Sequence, residues 1–99
     1  MKKVFISQPM HGKTNVQVRA ARQRAQDIVQ ERLGEQVYVM DSFIERTLMS
    51  ARSLWLLSKS LGELAYADLA FFAKGWEEAR GCRIEHQCAE EYGIEIMYE

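Results

Sequence analysis

Residues 68–73 read DLAFFA, one aspartate followed by five apolar side chains with no polar alternation. A short apolar run of this kind fits a strand covered on both faces, as in a parallel sheet flanked by helices. On its carboxyl side, KGWEEARG leads into a segment where Ile84, Cys88, Ala89 and Tyr92 recur at helical spacing. Gly93 ends that segment, and IEIMY at 94–98 reads as a last strand. On its amino side, Leu54, Leu57, Leu61, Leu64 and Ala65 stripe another helix, weakened inside by Gly62. Further back, QVYVM at 36–40 is a strand, and Asp41 and Ser42 begin a longer connection without a clear period. The chain opens with KVFIS at 3–7, a strand, and the turn QPMHGK. Thr14 can then cap a helix carrying Val18, Ala21, Ala25, Ile28, Val29 and Leu33, which Gly34 stops.

The order is β-α-β-α-β-α-β. Such alternation implies parallel strands joined by right-handed crossovers, with helices on both faces of the sheet. The apolar third strand is expected at the centre with the first beside it, giving the strand order 2-1-3-4. The expectation is one domain over residues 1–99: a small doubly wound α/β fold, Rossmann-like and flavodoxin-like, with four strands and three helices. In such sheets ligands bind beyond the carboxyl ends of the strands, where the order reverses. Here that point lies between the first and third strands, so the loops at residues 7–13 and 74–81 should face each other across one crevice.

Composition narrows the class of function. Across 99 residues the net charge is -1, with 47% apolar and 27% charged side chains, as in an ordinary soluble protein. A nucleic acid polymer is not an expected partner, because Arg19, Arg22 and Arg24 are followed by Asp27, Glu31 and Glu35 and read as a solvated helix face. No run is long enough to span a membrane, and the start lacks the apolar region of a signal peptide, so the expected location is cytoplasmic. Cys82 and Cys88, six residues apart in one helix, fall on different sides of it and read as free thiols. With His11 and His86 the only histidines, no metal or other cofactor is expected.

One carboxylate is out of place. With Gly81 at zero and about 100° per residue, Ile84, Cys88, Tyr92 and Ala89 define the sheet-facing side of the last helix, and Glu85 falls at about 40°, inside it. Arg83, His86, Glu90 and Glu91 point to the side or away. A buried carboxylate without partners costs several kcal/mol, and a helix amino terminus returns only about 0.3–1 kcal/mol. Either Arg80 or a main-chain donor satisfies Glu85, or the crevice reaches it and it contacts ligand. Glu77 and Glu78 read as solvated charges near the helix start. Trp76, beside Gly75, is a stacking surface for a heteroaromatic base or a cover for the core edge. The first loop, with Ser7, Gly12 and Lys13 ahead of a helix amino terminus, suits a phosphate-like anion or is a capped turn.

These features together resemble the nucleoside 2-deoxyribosyltransferase superfamily. The residues that carry the resemblance are the turn Ser7-Gln8-Pro9-Met10 after the first strand, the Asp-led strand from Asp68, and Gly81 to Glu85 as G-x-x-x-E. Residues 75–85 are most similar to the GWE-x-(S/A)-(R/K)-G-x-x-x-E hallmark of a small bacterial and phage branch. The resemblance implies that Glu85 is a nucleophile that attacks the anomeric carbon and holds the sugar covalently until a base or water takes it. It also implies substrate contacts from Ser7, Gln8, Pro9, Met10, Gly12, Lys13, Asp41, Ser60, Trp76, Arg80 and Gly81. Phe5 stands where the superfamily commonly has a tyrosine, and Ser60 where it has an aspartate. A further acidic position is replaced around Ala79 and Arg80.

Two functions follow as expectations. One is processing of the N-glycosidic bond of a nucleoside or nucleotide, as a deoxyribosyltransferase or N-hydrolase, through Glu85. The alternative is a module that binds a nucleoside or nucleotide without turnover. Trp55 and Leu56 lie off the leucine stripe of their helix, so self-association into a homo-oligomer is also expected.

Overall fold

A computed structural model describes residues 1–40 and 53–99. The elements in chain order are β1 (Lys2–Ser7), α1 (Asn15–Leu33), β2 (Val37–Val39), α2 (Ser53–Leu64), β3 (Leu69–Phe72), a 3-10 turn (Trp76–Glu78), α3 (Arg80–Glu91) and β4 (Glu95–Tyr98). All pairings are parallel and the strand order is β2-β1-β3-β4, the order expected from the sequence.

The local chemistry of each element is visible at its ends. Thr14 caps α1 by accepting from the Gln17 amide at 3.2 Å, and the Gln17 side chain accepts from the Thr14 amide at 2.9 Å. This reciprocal box uses donors that an anion at the helix start would otherwise engage. At the other end Gly34 takes the left-handed conformation, φ 70°, and its N–H bonds Gln30 O. Asp68 fixes the entry to β3 by accepting from the Lys3 amide at 2.8 Å.

The pleat of β1 and β3 sorts the core into two layers. Val4, Ile6, Leu69 and Phe71 face α1, where they meet Ala25 and Val29. Phe5, Ala70 and Phe72 face the other way, with Leu64 from α2 and Ala89 from α3. Ser7 follows Phe5 onto this second face, in register with Phe72.

Three expected placements change. Tyr92 is 82% exposed because the helix ends at Glu91 and Tyr92 has left helical geometry. The fully buried positions of α3 are Cys82, Glu85 and Ala89, so its sheet-facing side is rotated by about 60° from the expected stripe. Leu54, read as a stripe position, is 75% exposed, and Trp55 is exposed beside it. No helix among the described residues is long and apolar enough to cross a membrane.

Candidate functional site

The carboxyl end of β1 presents a polar side chain to a polar side chain in an otherwise apolar layer. Ser7, 1% exposed, donates from its hydroxyl to Glu85 Oε1 at 2.6 Å, and Glu85 is itself only 7% exposed. The carboxylate therefore faces the sheet, as its angle on the helix requires. Burial pushes the Glu85 carboxyl up from 4.5 to about 7, against the lowering effect of hydrogen bonds from Ser7 and from Ser60 on α2. Cys82, one turn earlier on α3, lies near Ser7, whose hydroxyl acts to lower the thiol. Burial outweighs this and raises the thiol to about 11, so it stays protonated and unreactive at neutral pH.

Around these groups is a niche of about 30 Å³, room for about one water molecule, lined by Phe5, Ser7, Gln8, Met10, Arg22, Ser60 and Glu85. Its rim is braced. Gln8 donates to Val18 O at 3.1 Å and lies 3.4 Å from Arg22 Nη1, while Arg22 Nη2 donates to Met40 O at 2.8 Å. Arg22 thus ties the loop after β1 to the end of β2. The sequence reading assigned it to a solvated helix face; its niche-side position depends on Gln8 and Met40, which local periodicity does not place.

The two loops expected to face each other do so: a Cβ on Gly75 would lie 3.5 Å from Pro9 Cγ. Gly75 also has φ 88°, which favours glycine there. Beyond that contact the expected crevice divides. Trp76 does not line the Glu85 niche. It stacks on His86 with centroids 4.2 Å apart and packs on the core with Phe72 at 5.4 Å. His86, expected to point away, is drawn in: Nε2 pairs with the Tyr98 hydroxyl at 2.6 Å, and Nδ1 lies 3.4 Å from Glu90. A separate groove of about 520 Å³ runs past Lys74, Trp76, Glu77, Tyr98 and Glu99.

Arg80 is exposed and lines a third groove with Gly81, Leu54, Leu57 and Ile84. Among the described residues no salt bridge joins it to Glu85, and Ser7 and Ser60 hold the carboxylate instead. Gly12 and Lys13 are exposed in the turn closed by Lys13 N–H to Met10 O at 3.1 Å. The Lys13 charge is nonetheless close enough to bear on Cys82. Asp41 lies outside the described residues. So Ser7, Gln8, Met10, Ser60 and Glu85 come together, Pro9 meets Gly75 at the loop contact, and Trp76, Arg80 and Gly81 lie apart.

A family model described as Domain of unknown function (DUF4406) matches residues 2–98. The chain belongs to the DUF4406 family. No curated protein and no solved structure matches it. In this DUF4406 chain no group of three or more His, Cys, Asp or Glu side chains among the described residues is placed to hold a metal ion. The niche offers one carboxyl and two hydroxyls, a set suited to nucleophilic or proton-transfer chemistry.

Proposed function

We propose that the chain processes the N-glycosidic bond of a nucleoside or nucleotide, with Glu85 as nucleophile. The observation that carries this reading is a buried carboxyl at the switch point of the sheet, held by Ser7 and Ser60 and bordering a niche. Burial removes the hydration shell that would blunt a carboxylate. In the first step a Glu85 oxygen bonds to the anomeric carbon, and the electrons of the C–N bond leave with the base, which takes a proton from solvent. In the second, water or another base attacks that carbon and Glu85 departs as carboxylate. For water, the hydroxyl stays on the sugar and the proton goes to solvent. Only the ionised carboxyl attacks, so turnover rises with pH through about 7.

The test is a panel of nucleosides, nucleotides and dinucleotide cofactors. Base release is followed by chromatography and a covalent sugar adduct by intact mass. Glu85→Gln is expected to lower release on the order of 10⁴-fold or more and to remove the adduct. A panel giving neither release nor adduct ends this reading.

A second reading, a module that binds without turnover, is favoured by Phe5, whose ring lines the niche without a polar atom. A ligand that raises the melting temperature and is recovered unchanged would select it.

A further inference from the structure

We propose that Ser7 is the positioning residue for Glu85: from the last residue of β1, its hydroxyl holds carboxylate oxygen Oε1 and so orients the group for reaction. The role rests on the glycosidic reading of Glu85, but the arrangement that supports it is a property of the folded chain alone.

Strand geometry makes Ser7 a rigid donor. Its side chain is 1% exposed and its carbonyl accepts from Ala73 N–H at 2.9 Å, so the main chain beneath the hydroxyl is held by the β1–β3 pairing. Rotation about χ1 is the main freedom left to it, and the 2.6 Å contact to Glu85 Oε1 selects one rotamer. A serine hydroxyl has one proton, and Ser7 gives it to Glu85, so the bond that holds Oε1 is the one donation this hydroxyl can make.

Among the described residues no salt bridge joins Glu85 to a cation, and this gives the Ser7 bond its chemical point. The charged groups near this cluster, among the described residues, include Arg22 on α1, Lys13 in the loop and Arg83 on α3. None is among the groups that set the Glu85 carboxyl, where burial opposes Ser7 and Ser60. A fixed cation would favour the ionised carboxyl and oppose its conversion to a neutral ester. A hydroxyl serves every state, because it donates to a carboxylate or to an ester carbonyl and accepts from a carboxylic acid. Ser7 is therefore suited to a carboxyl that changes state during turnover, which a purely structural ion pair would not do.

The test uses the full chain and needs no ligand. Glu85 is titrated by side-chain carbon NMR in the wild type and in Ser7→Ala, Ser7→Thr and Ser7→Cys, with circular dichroism to confirm folding. Ser7→Ala is expected to raise the Glu85 midpoint by roughly one pH unit, since a donor to the ionised form is lost. Ser7→Thr should restore it, and Ser7→Cys, a weak donor of similar size, should move it in the same direction as Ala. An unchanged midpoint in a folded Ser7→Ala overturns the proposal; if that variant does not fold, an unchanged midpoint in Ser7→Cys does so. Where the wild type releases base, Ser7→Ala should lose about 10²-fold in kcat, with its pH profile displaced upward and Thr restoring both. Retention of kcat and profile in Ser7→Ala overturns the positioning role. Absence of base release from every form removes the glycosidic reading, while the titration still decides whether Ser7 holds Glu85.

Discussion

The Glu85 niche and the Trp76 cluster lie on the same side of the sheet and are built from adjacent residues of α3, yet they are held by opposite means. Glu85 turns toward β1 and α2, where the 2.6 Å bond from Ser7 and the side chain of Ser60 meet it beside a space of about 30 Å³. His86, one helical step of about 100° further on, turns toward β4. There Trp76, Phe72 and Tyr98 surround it with ring faces and edges. The first region keeps a titratable carboxyl where an apolar residue would be more stable. The second binds loop, helix and last strand through contact area. The difference separates a directional polar niche from an aromatic contact cluster, although both regions come from one short segment of sequence.

The largest effect that would sharpen this contrast is on stability against pH. Glu85 has its folded value raised from 4.5 to about 7, so its protonated form favours the folded state. That contribution is full below pH 4.5 and is lost as pH rises through about 7. A displacement of this size corresponds to about 3 kcal/mol. Denaturant unfolding should therefore find Glu85→Gln more stable than wild type by about 3 kcal/mol at pH 8 and nearly equal to it near pH 4.5. A variant less stable at pH 8 would mean that Glu85 is a structural partner after all.

A smaller effect belongs to the aromatic region. Trp76→Ala removes a half-buried indole packed on Phe72 and His86 and should lower stability by about 2 kcal/mol, leaving the Glu85 midpoint in place. Movement of that midpoint would join the two regions into one site. The smallest is Tyr98→Phe, which deletes the hydroxyl 2.6 Å from His86 Nε2 and should cost about 1 kcal/mol in the same unfolding measurement.

Much of the fold was legible because the signals are local. DLAFFA reads as a buried strand from its unbroken apolar run, and the observed β3 falls within it at Leu69–Phe72. The capped start and glycine stop of α1 are likewise written in adjacent residues, Thr14 with Gln17 and then Gly34. Glu85 could be singled out because one helical wheel needs only the angle per residue. The same wheel misjudged Tyr92, because the helix ends one residue earlier, and it missed the burial of Cys82, because the packed face is rotated by about 60° from the expected stripe. His86 was read as outward-facing because nothing local announces the Trp76 ring above it or the Tyr98 hydroxyl twelve residues on.

The sequence by itself determined the order of elements, the parallel sheet with its 2-1-3-4 order, and a carboxylate directed at that sheet. Periods of about two and 3.6 residues, turn residues and connection lengths are enough for these. Only the tertiary structure decided what meets that carboxylate: Ser7, 78 residues away, and Ser60, rather than the nearby Arg80. Hydrogen-bond partners are chosen by distances of a few ångströms between separately placed elements, and no local period encodes those distances.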